Sequence, residues 1–147
     1  MITITNVTPT DIPDLRDMIY ALCAHHGDTC ARGDADVHAQ FIDGPLIGLI
    51  ARDGDRPVGF ATLVTHWRPM NTGDSIDILH LFVIAGRRSQ GIGRRLIAAA
   101  QSHAQATGAI RLTIGTAPNN ASAAQAYRAM GWDEITATAG PRFQISL

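Results

Sequence analysis

Between an apolar run ending at Ile84 and an amphipathic stretch opening at Ile92, the chain reads Arg88-Ser89-Gln90-Gly91-Ile92-Gly93-Arg94, residue types suited to holding an anion. Where a strand hands over to a helix, backbone N–H groups converge without helical partners and the helix dipole adds positive potential. Gly91 and Gly93 remove the side chains that would keep a diphosphate off that backbone, while Arg87, Arg88, Arg94 and Arg95 add mobile positive charge. Glycines and arginines in this pattern also suit a plain surface turn, but the strand-to-helix context gives the pattern a mechanism. No Gly-Lys-Ser/Thr follows, and the glycine spacing is not that of a dinucleotide fingerprint at a first strand, so both of those phosphate motifs are excluded. A second group, Cys23, His25, His26 and Cys30, invites a zinc reading. Its spacing, Cys-x-His-His-x-x-x-Cys, matches no common structural zinc pattern, and no metal is expected.

The elements that must position these residues follow from periodicity. Ile2 and Ile4 alternate with polar residues as a strand, and Thr8 to Pro13 signals a turn and helix start. Leu15, Met18, Ile19 and Leu22 recur at helical spacing from Ile12 to about Ala24, and a short helix is expected around Val37 to Ile42. The runs Leu46 to Arg52 and Val58 to His66 flank Asp53-Gly54-Asp55 as a hairpin, and Ile76 to Ile84 reads as a central strand. A helix from Ile92 closed by Gly108 precedes a strand at Ile110, Leu112 and Ile114, then a helix from Asn120 to Met130 closed by Gly131. Trp132 onward and Phe143 to Leu147 are expected to supply the last strands. The pattern is a mixed α/β sheet with helices on its faces, in a single domain spanning 1–147.

Composition narrows the function classes. A net charge of −1 gives no global basic field, so no nucleic-acid partner is expected, and no apolar stretch is long enough for a membrane span. Two closely spaced cysteines and a start without a basic leader predict a reduced, cytoplasmic protein. All twelve cationic residues are Arg, so the only amine of the chain itself is its N-terminus.

The run from Leu81 to Leu96 resembles the acetyl-CoA motif of the GNAT superfamily of N-acyltransferases, Arg/Gln-x-x-Gly-x-Gly/Ala after an apolar strand, filled here by Arg88, Gly91 and Gly93. The family's second motif, Asn-x-x-Ala-x-x-x-Tyr-x-x-x-Gly-aromatic, is matched by Asn120, Ala123, Tyr127, Gly131 and Trp132. The resemblance covers nearly the whole chain. It implies a splayed six- or seven-stranded mixed sheet flanked by about four helices, with acetyl-CoA as cosubstrate. It further implies that Phe82 and Val83 hold the pantetheine by backbone atoms while Arg88, Ser89, Gln90, Gly91, Ile92, Gly93 and Arg94 hold the diphosphate. Asn120 and Ala123 are then expected beside the pantetheine arm, and Tyr127 as the general acid for the departing thiolate. Core aromatic and helix N-cap are the structural alternatives for Tyr127 and Asn120.

Attack by an ammonium requires a base. GNAT enzymes often carry a Glu in the strand before the cofactor loop, whereas the single Glu here, Glu134, lies elsewhere. Alternation within Asp77 to Val83 places Ile78, His80 and Phe82 on one face and Asp77, Leu79, Leu81 and Val83 on the other. His80, with an ordinary pKa of ~6.5, is the first choice for the base; a histidine hydrogen-bonded in the sheet is an equal alternative. His26, Asp28 and Asp77 are candidates for meeting a cationic acceptor, and a solvated loop explains His26 and Asp28 equally well. A small amine or polyamine is the expected acceptor by analogy, with a peptide acetyltransferase or a CoA-binding sensor as the other readings, and a homodimer is left open.

Overall fold

The computed structural model describes residues 1–70, 72–137 and 140–147. The chain forms two compact units, 1–115 and 116–147.

In the first unit, β1 (Ile2–Asn6) runs into a 3-10 turn at Pro9–Asp11 and then α1 (Ile12–His25). The Thr8 N–H donates to Asp11 Oδ2 at 2.8 Å, which fixes the turn, and Ile12, Leu15 and Met18, three residues apart, form the buried stripe of α1. The second helix, α2 (Asp34–Phe41), starts three residues before the expected Val37. Its first turn is polar, so apolar periodicity does not register it, but Asp34 and Asp36 suit the positive end of a helix. Arg16 on α1 also donates to Asp34 at 2.7 Å.

The strands β2 (Leu46–Asp53), β3 (Arg56–His66), β4 (Ser75–Val83) and β5 (Arg111–Ile114) complete a five-stranded sheet in the order β1-β2-β3-β4-β5. The first four are mutually antiparallel, and β5 is parallel to β4 after a crossover through α3 (Ile92–Ala106). Ile12, Leu15, Met18 and Val37 pack with Ile50, Phe60 and Phe82 on one face of the sheet. The other face meets α3 through Ile92, Leu96, Ile97, Ala100 and Ala104. Gly59 is required there by close approach: a Cβ would stand 2.6 Å from the Phe82 carbonyl oxygen and 3.3 Å from Leu96 Cδ1.

Two departures from the sequence reading bear on the site. First, the β3–β4 register runs Thr62↔His80 and then Leu63↔Ile78, so Leu79 is the extra residue of a β-bulge. The bulge breaks simple alternation. His80 and Phe82 face the α1 side with their partners Thr62 and Phe60, Asp77 joins them opposite Val64, and Ile78 turns to the α3 side with Leu63. Asp77 and His80 therefore share a face, which strict period-two counting denies. Second, the sheet has five strands among the described residues, not six or seven. Phe143, Ile145 and Leu147 alternate as a strand would, but a strand needs a partner, and these side chains stand in solvent with Phe143 at 92% exposure. Thr138 and Ala139, in the expected terminal strands, lie outside the described residues.

Arg52 on β2 ties the sheet to α1, donating to Asp11 and to Asp14, each at 2.8 Å. Burial alone would raise the Asp11 pKa, but the Thr8 N–H and the Arg52 guanidinium outweigh it, and the carboxyl lies below its ordinary value. A depressed carboxyl contributes stability above its unfolded pKa of ~3.9, and that contribution is lost as pH falls through the folded value. Arg52→Gln is accordingly expected to lower the melting temperature at pH 7 and to show a smaller further loss on acidification than the parent chain, read by thermal unfolding from neutral to acidic pH.

In the second unit, the described regular element is α4 (Ala121–Ala129). Gly131, at φ +87°, ends it in the left-handed conformation that glycine tolerates best.

Candidate functional site

Beyond β4 the chain turns sharply, with Gly86, Ser89 and Gly91 all at positive φ (+84°, +61° and +80°). Positive-φ residues beside ordinary ones are the backbone ingredients from which anion nests are built. Gly91 is the N-cap of α3 and brings no side-chain acceptor to it. Among the described residues, the first-turn N–H groups of Ile92, Gly93 and Arg94 thus have neither a helical partner nor a cap, and they aim the positive end of the dipole at the loop.

The loop's side chains divide into braces and free groups. Arg87 donates to Gln90 Oε1 at 3.0 Å and to Asp53 Oδ2 at 2.9 Å, Gln90 donates to the Gly86 carbonyl at 3.3 Å, and Arg95 donates to the Ile2 carbonyl at 2.8 Å. The Gln90 side chain therefore shapes the loop, leaving its backbone for a ligand. Arg88 Nε donates to the Val83 carbonyl at 3.0 Å, and its guanidinium lies 5.8 Å from the centroid of the Phe82 ring. Arg94 is exposed at the helix start.

The two glycines have different reasons. Gly91 is demanded by its φ of +80°, whereas Gly93 has an ordinary φ and a Cβ there would meet no protein atom within 4 Å. Packing within the protein does not explain Gly93, and the space beside the helix start there is open. Gly93→Ala is expected to leave folding intact or strengthen it by up to ~1 kcal/mol, since alanine favours helix. The same change is expected to weaken CoA binding by about tenfold. Thermal unfolding and calorimetric titration with CoA check the two effects separately.

Next to this loop, the β4 edge is free. Pairing of β4 with β5 ends at Ile78↔Ile114, so from Leu79 to Val83 the edge toward β5 carries no ladder partner among the described residues. An extended, amide-bearing molecule can pair with such an edge as an added strand.

On the α1 side of the same strand, His80 remains open to solvent, yet desolvation by its surroundings, with a smaller contribution from the charge of His26, holds its pKa below the ordinary value. His26, the C-cap of α1, packs edge-on to His25 at 5.4 Å and 66°. The sheet thus brings His26, His80 and Asp77 to one side. Asp77 is half-buried and accepts the Thr113 hydroxyl at 2.6 Å, so its carboxylate is already engaged across the β4–β5 pair. Asp28 follows the end of α1, and its N–H donates to the Cys23 carbonyl at 2.8 Å. Burial, and next the neighbouring Cys30, push the Cys23 thiol up. No group of three or more His, Cys, Asp or Glu side chains placed to hold a metal ion occurs among the described residues.

In the second unit, Asn120 is the N-cap of α4, accepting the Ala123 N–H at 3.2 Å through Oδ1. Its amide NH2 is not used by that cap. Tyr127 lies two turns further on, with its ring 6.3 Å from that of Trp132 and its carbonyl accepting the Trp132 N–H at 3.1 Å. Burial raises the Tyr127 pKa, so the phenol is protonated at neutral pH and able to donate.

One residue of the β3–β4 pair carries no signal in the sequence. Thr62, fully buried in β3 opposite His80, reads as one more β-branched residue of an apolar strand.

The sequence pattern described as Acetyltransferase (GNAT) family matches residues 15–132. An uncharacterized N-acetyltransferase of Bacillus subtilis, YhfO, is 32% identical over 103 residues, 70% of this chain and 69% of that protein. Among solved structures, an aminoglycoside acetyltransferase, meta-AAC0020, from an uncultured soil metagenomic sample in complex with sisomicin is similar at a TM-score of 0.86 and 15% identity, covering 99% of this chain and 97% of that one. Another, AAC(6')-Iy in complex with a bisubstrate analog, CoA-S-monomethyl-acetylneamine, is similar at 0.80 and 20% identity, covering 99% of each chain. At these identities the structural likenesses establish the fold.

Proposed function

The chain belongs to the acetyltransferase (GNAT) family and is an acyl-CoA-dependent N-acyltransferase, and from that premise we propose that it moves acetyl from acetyl-CoA to the primary amine of a small cationic acceptor. The observation that carries the proposal is the uncapped α3 start beside an unpaired β4 edge. In this reading the backbone of Arg88, Ser89, Gln90, Gly91, Ile92, Gly93 and Arg94, with the Arg94 guanidinium, holds the diphosphate, and the β4 edge at Phe82 and Val83 pairs with the pantetheine amides. Asn120 and Ala123 border the pantetheine. The match over residues 15–132 runs through both compact units, which supports reading 1–147 as one catalytic domain.

Acetyl-CoA supplies an acyl group on a good leaving thiolate. His80, kept neutral at pH 7 by its lowered pKa, takes a proton from the acceptor ammonium, and the freed nitrogen attacks the thioester carbonyl. As the carbon–sulfur bond breaks, the Tyr127 hydroxyl protonates the sulfur. Holding both ends of the cofactor makes the attack effectively intramolecular. His26 and Asp77, on the His80 side of the sheet, are proposed to border the acceptor, and Asp28 to meet it from the loop after α1. The aminoglycoside acetyltransferases of similar fold support an amine-rich small molecule as acceptor. Both cysteines are free thiols, which supports a reducing, cytoplasmic setting, and no described helix is long and apolar enough to cross a membrane.

The base assignment has a pH signature. The acid limb of kcat/KM is expected below ~6.5, and His80→Gln is expected to abolish that limb along with most of the activity. The acceptor class is tested by mass spectrometry of products from polyamines, aminoglycosides, simple amines and peptides. Acetylated small amines support the reading, and product from peptides alone overturns it.

A further inference from the structure

We propose that Asp53 is a positioning residue for the cofactor loop: by holding Arg87 it keeps the turn from Gly86 to Gly91 in its binding conformation before CoA arrives. The inference rests on the reading of that loop as the site of the CoA diphosphate. The Arg87 guanidinium reaches in two directions, donating through Nη2 to Asp53 Oδ2 at 2.9 Å and through Nε to Gln90 Oε1 at 3.0 Å. Gln90 donates in turn to the Gly86 carbonyl at 3.3 Å, so one run of hydrogen bonds spans the turn. Its outer end is a strand. Asp53 closes β2, paired with Ile2 of β1 on one side and with Arg56 of β3 on the other, and a carboxylate carried on paired strands is aimed more firmly than one on a loop.

The turn needs such a hold. Ser89 has a φ of +61°, the left-handed region that a residue with a Cβ disfavours, and it is the one non-glycine residue there among the described residues. A conformation of that kind persists where its surroundings over-determine it, and Ser89 lies between Arg87 and Gln90, which the hydrogen bonds tie together. Charge alone argues against a carboxylate at this place, because it repels an anionic ligand. The Met1 ammonium, at 3.0 Å from Oδ1, and the Arg87 guanidinium hold the Asp53 carboxyl below its ordinary value, so it is ionised at neutral pH. Positioning and repulsion therefore predict opposite effects of removing it. A loop that visits its competent conformation only part of the time binds with its affinity reduced by that fraction.

The experiment measures CoA affinity by calorimetric titration, kcat at saturating acetyl-CoA and thermal unfolding for the parent chain and its variants. Asp53→Ala is expected to stay folded and to raise the CoA Kd about tenfold while kcat falls less than about twofold. Adding Ser89→Gly to Asp53→Ala is expected to recover most of the affinity, since glycine takes a positive φ without strain. In an Arg87→Ala background, Asp53→Ala is expected to weaken binding no further. Asp53→Ala that binds CoA as tightly as the parent or more tightly, the result of repulsion alone, overturns the inference. A tenfold loss that persists in the Arg87→Ala background, or that Ser89→Gly does not recover, overturns it as well. A parent chain that binds no CoA overturns the reading of the loop itself.

Discussion

Tyr127→Phe is expected to lower kcat by about 10²–10⁴-fold, the usual contribution of a positioned proton donor, with little change in CoA affinity. Phenylalanine keeps the ring that packs 6.3 Å from Trp132 and removes only the hydroxyl, so the fold of α4 and its glycine-terminated end are preserved. The raised pKa of the phenol keeps its proton in place throughout the neutral range, so the hydroxyl is available to donate to the sulfur as the carbon–sulfur bond breaks. Steady-state kinetics with calorimetric CoA titration separates the two roles. Loss confined to KM would make the hydroxyl a binding group and remove it from the proton transfer.

Phe60→Ala is expected to cost ~3–5 kcal/mol of folding stability, a large share of the ~5–15 kcal/mol typical of a domain. Phe60 is fully buried, sits across from Phe82 in the β3–β4 ladder and meets its ring at 5.8 Å and 45°. Its removal opens a cavity between α1 and the strand that carries His80, so activity is expected to fall well below the unfolding temperature of the parent chain. Denaturant titration gives the stability. A cost under ~1 kcal/mol would mean that the core collapses around the gap, contrary to its close packing.

Features written locally in the sequence were legible there. The sharp turn after the apolar strand is announced by its glycines: Gly91 sits at φ +80°, while Gly93 has no such demand within the protein. The hairpin at Gly54, the buried stripe Ile12, Leu15 and Met18, and the Asn120 cap follow from turn chemistry, helical spacing and side-chain type. Features set by pairing between distant segments were not. Nothing in Ile78-Leu79-His80 marks Leu79 as a bulge, because a bulge is a property of two strands; yet it decides that Asp77 and His80 share a face. The end of β5 pairing at Ile114, which frees the β4 edge, is likewise invisible in either strand alone. The alternation of Phe143, Ile145 and Leu147 misled for the same reason, since a pattern specifies a face and not a partner. Thr62 needed three-dimensional accounting of buried polar groups to stand out from its apolar neighbours.

The most direct test of acetyl transfer follows free CoA thiol released from acetyl-CoA by the purified chain in the presence of small amines, with Tyr127→Phe as the control. Because the chain contains no lysine, release above background reports on the added amine rather than on self-acetylation of side chains. The expected result is release that depends on one class of amine and is nearly lost in Tyr127→Phe. CoA binding without release from any amine would contradict the transfer chemistry, and failure to bind CoA would contradict the assignment of the loop from Arg88 to Arg94.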